Sequence, residues 1–267
     1  MIVQLIKEAR KIVIKIGSNT LAGKDGKINS VFISEFAQQT SALIKKGKQI
    51  IIVSSGAQVA GLSTMDKWAR KKDIHYRQAL CAVGQVELMD AWRRAFAESS
   101  ETQSLHIAQI LLTRDDFNDP KRTLNMRNTL FTLVDEGIIP IINENDTVSV
   151  EEIKIGDNDT LAARSAILWS ADLLILLSDI DGLYNRNPKD DAQAVLLEEV
   201  RNIEDARKNI TIGEANSFGT GGIATKLDAA ELVLSYGIPA ILTDGGKPRC
   251  IDALASGAQK GTVFPAN

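Results

Sequence analysis

Residues 49–57 read Gln49-Ile50-Ile51-Ile52-Val53-Ser54-Ser55-Gly56-Ala57. The four central residues are all β-branched and apolar, which fits a strand buried on both faces. Small residues then end the strand and open a helical segment. A strand that is apolar at every position and turns tightly into a helix belongs to a parallel sheet, because parallel strands need a crossover between them. The pattern recurs in both directions. Residues 12–16 (IVIKI) read as a strand ending at Gly17, and 107–112 (IAQILL), 138–142 (IIPII), 173–177 (LLILL) and 238–242 (IPAIL) read as further strands. Helical spacing lies between them over 30–46, capped by Ser30 and stopped by Gly47, and over 76–98, 121–136, 160–170, 224–236 and 248–255. The expected fold is α/β: a three-layer α/β/α sandwich around a central, mainly parallel open sheet. No internal repeat, low-complexity tract or Pro/Gly linker divides the 267 residues, so one domain over 1–267 is expected. Residues 61–75 (GLSTMDKWARKKDIH) are polar and poorly patterned, and are expected to form a mobile loop over a site.

Composition narrows the function. Hydrophobic residues are 44% and charged residues 24%, which excludes a disordered or fibrous chain. The net charge of −3 disfavours sequence-independent binding of nucleic acid, which needs a basic face. No run is long enough to span a bilayer, and the N-terminus has no secretory leader pattern, so a cytoplasmic protein is expected. Cys81 and Cys250 form no CxxC pair and read as buried reduced thiols; with His75 and His106 they make no metal-ligand spacing.

Ligands of such sheets bind beyond the carboxyl ends of the strands. Four strand ends carry unusual chemistry. At Lys15-Ile16-Gly17-Ser18, an ammonium interrupts an apolar strand and a glycine follows that lets a phosphate approach the backbone. The competing reading makes Lys15 an outward residue of an edge strand. Ser54-Ser55-Gly56-Ala57 offers free N–H groups at a helix start, or is simply a tight capped turn. Residues 143–159 hold six carboxylates (Glu144, Asp146, Glu151, Glu152, Asp157, Asp159) against Lys154, with Asn143, Asn145 and Asn158 among them. This is either a solvated loop or a cluster that needs a cation such as a substrate ammonium, with Asn158 available to bond its carboxylate. Gly219-Thr220-Gly221-Gly222-Ile223-Ala224-Thr225-Lys226 reads as a phosphate-cradling loop running into a helix, or as a bare flexible loop; it is not a Walker A sequence. Two glycine-flanked lysines plus a carboxylate cluster suit phosphoryl transfer, in which a protein mainly positions groups and neutralises charge.

Taken together, these motifs, with Asn143-Glu144-Asn145-Asp146-Thr147-Val148, Gly156-Asp157-Asn158-Asp159, Ser178-Asp179, Gly182-Leu183-Tyr184 and Pro188, resemble the glutamate 5-kinase family of the amino acid kinase superfamily. Order and spacing agree from about residue 10 to 265. The resemblance implies phosphorylation of L-glutamate by ATP, with Mg²⁺, to L-glutamyl 5-phosphate, the first step of proline synthesis. It implies that Lys15 and Lys226 neutralise the transferring phosphoryl group and that Asp159 orients them. Ser55, Gly56, Asn143, Asp146, Asp157 and Asn158 would bind glutamate. Lys15, Gly17, Ser18, Ser178, Asp179 and Gly219 through Lys226 would bind ATP, and no residue is assigned as a metal ligand. The segment to about residue 170 would mainly hold glutamate and the remainder mainly ATP. Feedback inhibition by L-proline, gated by residues 61–75, a homodimer or homotetramer, and contact with glutamyl phosphate reductase also follow from the resemblance. Two departures stand out: Ser178 replaces the usual threonine, and the chain is expected to lack the C-terminal PUA domain that many members carry. The acceptor carboxylate is already ionised, so no general base is needed. Two other readings stay open: a kinase for a related acid such as N-acetylglutamate, and a sensor that binds nucleotide or amino acid without turnover.

Overall fold

The computed structural model describes residues 1–23, 25–65, 73–99, 104–149, 158–186, 191, 193–209 and 222–266. Among them, seven strands form one sheet: β1 (Lys11–Ile16), β2 (Gln49–Ser54), β3 (Ile107–Leu112), β4 (Ile139–Glu144), β5 (Leu173–Ser178), β6 (Ala240–Asp244) and β7 (Thr262–Phe264). Their spatial order is β3-β4-β2-β1-β5-β6-β7. All neighbours pair in parallel except β6 and β7. The antiparallel β7 escapes the sequence reading because three residues carry no period. The helices are α1 (Ile2–Glu8), α2 (Ser18–Leu21), α3 (Ser30–Lys45), α4 (Ala57–Met65), α5 (Ile74–Glu98), α6 (Pro120–Asp135), α7 (Asn158–Trp169), α8 (Ile203–Asn209), α9 (Ile223–Leu234) and α10 (Cys250–Ser256).

Each face of the sheet buries its own core. Successive side chains of a strand point to opposite faces. On β1, Ile12, Ile14 and Ile16 pack against Phe36 of α3, Trp92 and Phe96 of α5 and Leu254 of α10. Val13 points the other way, toward Leu161 and Ala162 of α7 and Leu227 of α9. Lys15 shares the Val13 face by the same alternation, so the sequence aims its ammonium at α7 and α9. β1 is the central strand and Lys15 is buried, which overturns the reading of an outward residue on an edge.

Caps fix where the long helices begin. The Asn29 side chain accepts from the Phe32 N–H at the start of α3, so the cap is Asn29 and Ser30 is already helical. Asp73 caps α5 by accepting from the His75 and Tyr76 N–H groups, and Asp119 caps α6 just before Pro120. Two expectations are corrected. Residues 61–65 belong to helix α4, and 74–75 open α5, so most of the described part of 61–75 is helical; 66–72 lie outside the described residues. Small residues explain the miss: α4 packs through Gly61, where an added Cβ would fall 2.0 Å from the Leu80 carbonyl, rather than through an apolar stripe. Helix α7 starts at Asn158 rather than Thr160, which takes Asn158 and Asp159 out of the polar loop and into a first turn, where an acidic side chain complements the helix dipole. No helix among the described residues is long and apolar enough to cross a membrane.

Candidate active site

The chain leaves β1 to build β2, β3 and β4 on one side and returns to build β5, β6 and β7 on the other. The sheet order reverses at β1, and sheets of this kind form their ligand crevice at the carboxyl ends of the strands beside such a reversal. Backbone bonds stitch the rim: Ser55 N–H donates to the Ile16 carbonyl (3.1 Å), Gly17 N–H to Leu177 (3.3 Å) and Gly245 N–H to Ser178 (2.7 Å). Gly56 adopts φ +103°, a left-handed value that suits glycine, and its missing Cβ would sit 3.0 Å from Leu21.

Asp159 lies at the centre and is wholly buried. Its Oδ1 meets Lys15 Nζ at 2.7 Å and its Oδ2 meets Lys226 Nζ at 3.1 Å. The Thr225 hydroxyl donates to the same Oδ2 at 2.8 Å. Burial drives the carboxyl pKa upward, but the Lys15 and Lys226 ammoniums and the Thr225 hydroxyl overcome it and hold it below the ordinary value. Both lysines are about 95% buried, at 5% and 6% exposure. Taking such ions out of water costs several kcal/mol each, so the cluster is poorly explained as a stabilising device. The three side chains together carry one positive charge, beside the N-terminus of α9, whose Gly222 cap offers no side chain to its first N–H groups. Positive charge and open N–H groups at one place suit a phosphoryl group.

Asn158, one residue earlier, organises a second cluster. Its Nδ2 donates to the Ser55 hydroxyl oxygen (2.7 Å) and to Asn143 Oδ1 (3.0 Å). Asn143 Nδ2 donates to Gln85 Oε1 at 2.9 Å. Asn143, Ser55 and Asn158 are all buried, so polar side chains from β4, the β2 rim and α7 converge where an apolar core would be cheaper. Asp146 follows β4. Burial pushes its carboxyl up to about 6, against the downward pull of the Cys81 thiol and the Arg77 guanidinium. At the end of β5, the Ser178 hydroxyl donates to Asp179 Oδ1 (3.1 Å), and Asn19 Nδ2 to Asp179 Oδ2 (2.9 Å).

The structure thus joins Lys15, Asp159, Thr225 and Lys226 in one group and Ser55, Asn143 and Asn158 in another, linked through the consecutive residues Asn158 and Asp159. Gly17 and Ser18 start α2 on the same rim, with a Cβ at Gly17 falling 3.6 Å from Lys15 Nζ. Gly222, Ile223 and Ala224 open α9. Described contacts do not tie Asp146 to Asn158. Asp157, Gly219, Thr220 and Gly221 lie outside the described residues, as do Glu151, Glu152 and Lys154. Sequence reading missed Gln85 and Asn19. Gln85 sits at the buried face of a helix, where a polar residue at a core position was the available signal.

Comparisons with known proteins identify the family and the fold. The amino acid kinase family matches residues 10–244. A glutamate 5-kinase of Alkaliphilus metalliredigens is 60% identical over 266 residues, covering 100% of this chain and 99% of its own. One from Alkaliphilus oremlandii is 58% identical, covering 99% of both chains. One from Treponema pallidum is 43% identical, again covering 99% of both. Among solved structures, a UMP kinase from Bacillus anthracis superposes with a TM-score of 0.62 over 97% of both chains at 16% identity, a likeness of fold.

Proposed function

The chain belongs to the amino acid kinase family and groups within it with the glutamate 5-kinases, and on that premise we propose how its crevice works. The reaction is transfer of the ATP γ-phosphoryl group to the side-chain carboxylate of L-glutamate. A carboxylate oxygen forms a bond to Pγ, the bond from Pγ to the bridging oxygen breaks, and the electron pair leaves with ADP. No proton moves at the acceptor, because a carboxylate is ionised at neutral pH. The chain therefore needs no general base, and its task is position and charge.

Asp159 holds Lys15 and Lys226 so that both ammoniums bear on the transferring group, whose charge spreads over its outer oxygens in the transition state. The observation that carries this reading is the pair Asn158 and Asp159: neighbours in one helical turn, one binding the amide cluster and the other the lysines. That turn fixes acceptor and donor against each other. Asn158, Asn143 and Ser55, with the first N–H groups of α4, bind the substrate's α-carboxylate. Asp146, with Asp157, receives the ammonium. A free ammonium fits such carboxylates and an acetylated amine does not, which favours glutamate over N-acetylglutamate. Ser178, Asp179 and Gly219 through Thr225 hold the nucleotide. Proline, like glutamate, carries an α-carboxylate and a cationic α-nitrogen, so feedback by L-proline at this pocket belongs to the same proposal. Both oxygens of Asp159 are committed to lysines, so Mg²⁺ enters as MgATP, held by phosphates and water.

A sensor on this fold would have no use for two buried lysines aimed at a transition state. Lys226→Ala separates the readings. Glutamate-dependent ADP release should fall by roughly 10²–10³ in kcat, with glutamate affinity nearly unchanged. Unchanged kcat would overturn the proposed role.

A further inference from the structure

Helix α5 turns a polar stripe toward the crevice. Gln78, Cys81, Gln85 and Trp92 stand at spacings that share one helical face. Each touches a wall of the site. Gln78 Nε2 donates to the Asp146 carbonyl (3.0 Å) and the Cys81 thiol bonds the Asp146 carboxyl. Gln85 Oε1 accepts from Asn143, and Trp92 Nε1 donates to the Ser54 hydroxyl oxygen (3.0 Å). The helix comes close enough because of Gly84: a Cβ there would fall 1.8 Å from the Ala57 carbonyl at the start of α4.

The direction of the hydrogen bonds through Gln85 is fixed by chemistry. Asn143 Oδ1 accepts from the Glu144 backbone N–H at 2.9 Å, a donor that cannot reverse. The same oxygen accepts from Asn158 Nδ2. Asn143 must then turn its Nδ2 to Gln85, and Gln85 must answer with oxygen. Turning the Asn143 amide over would set its NH₂ against two donors. Gln85 is only 9% exposed, so water does not readily replace it. Its own Nε2 is buried and meets no hydrogen-bond partner among the described residues. A side chain that leaves one buried donor unmet while holding a site residue is better explained by positioning than by stability.

We propose that Gln85 is a positioning residue for the acceptor pocket, its amide oxygen locking Asn143 and, through Asn143, the Asn158 amide and the Ser55 hydroxyl in the orientation that grips the amino-acid substrate. The inference rests on the assignment of that pocket to glutamate. Gln85 touches none of the reacting atoms and acts through Asn143. It therefore controls capture of the acceptor and leaves the nucleotide side alone.

The test compares Gln85→Met with Gln85→Glu. Methionine keeps length and volume and removes the acceptor; glutamate keeps an acceptor oxygen facing Asn143. Gln85→Met should raise the glutamate KM about tenfold, the loss of one net hydrogen bond's worth of binding, with kcat and the ATP KM within about twofold. Gln85→Glu should bring the glutamate KM back to within about threefold of the parent. The proposal is overturned if Gln85→Met leaves the glutamate KM unchanged, raises both KM values together, or fails to fold, and equally if Gln85→Glu behaves like Gln85→Met. Glutamate titration by calorimetry without ATP runs alongside. A parent chain that releases no ADP but binds glutamate would sink the kinase reading and still report on Gln85.

Discussion

Replacing Asp159 by asparagine removes one charge and almost no volume. Its two oxygens meet Lys15 at 2.7 Å and Lys226 at 3.1 Å, and it is wholly buried. Two charge-assisted bonds at about 1.5–3 kcal/mol each give roughly 3–6 kcal/mol. Breaking a buried ion pair by removing one partner costs about 3–5 kcal/mol, which agrees. For a chain of this length that is a drop of about 5–10 °C in melting temperature. The pH dependence follows with its sign. The native Asp159 pKa lies below its unfolded value, so its stabilisation is present above the ordinary carboxylate range and is lost as pH falls through the native pKa. Asp159→Asn removes that acid limb. Catalysis should suffer more than binding: the two ammoniums repel and lose their common anchor, and kcat should fall by about 10³ while the glutamate KM moves less than tenfold. Thermal melts from pH 3 to 8 and ADP release under saturating substrates read both effects. A variant that melts with the parent and keeps kcat within tenfold would refute the reasoning.

Three further outcomes are expected. Asp146 is raised to about 6 in the folded chain, so it costs stability as pH rises from about 4 through 6, by roughly 3 kcal/mol when fully ionised. Asp146→Asn should therefore melt higher than the parent at pH 8 yet bind glutamate more weakly, and the parent's kcat/KM for glutamate should fall below about pH 6 while the variant's does not; a pH-independent parent profile would contradict this. Gly84→Ala drives a Cβ to 1.8 Å from one backbone carbonyl and 2.2 Å from the Gly61 nitrogen. Denaturant melts should show a loss of about 3 kcal/mol or more, the upper end for overpacking, and a loss below 1 kcal/mol would show that α4 and α5 part easily. Cys81 and Cys250 are both buried thiols, and burial pushes the Cys250 thiol up to about 12. Neither should react with an alkylating thiol reagent in the native chain, and both should in denaturant; fast native labelling of Cys250 would contradict its burial.

The sheet was readable because its strands are buried on both faces and stay apolar throughout. All six strands read from the sequence fall within two residues of the observed bounds, as at Ile107–Leu112. Where packing uses small residues the signal fails: Ala57 reads as a helix start, but α4 packs on α5 through Gly61, and its second half, 61–65, reads as a loop. The short helices α1, α2 and α8 were missed because so few turns show no period. At the site, Lys15 announced itself as a charge inside an apolar strand, and Thr225 and Lys226 as the end of a glycine-rich run. Its depth was not readable. From the residues alone Asp159 was one of six carboxylates in an acidic stretch, and only the resemblance singled it out; its place in the first turn of α7 shows how it comes to lie buried between two lysines. Gln85 lay outside any motif, because its partner is 58 residues away in sequence.

The central claim is that this crevice makes an acyl phosphate from a free amino acid, and hydroxylamine trapping tests it most directly. The purified chain is incubated with MgATP, hydroxylamine and L-glutamate, with L-aspartate and N-acetylglutamate in parallel. The account predicts glutamyl hydroxamate from L-glutamate, in step with ADP, and little or none from the other two acids. No hydroxamate from any acid while ATP still binds, or equal yields from N-acetylglutamate and L-glutamate, would contradict it.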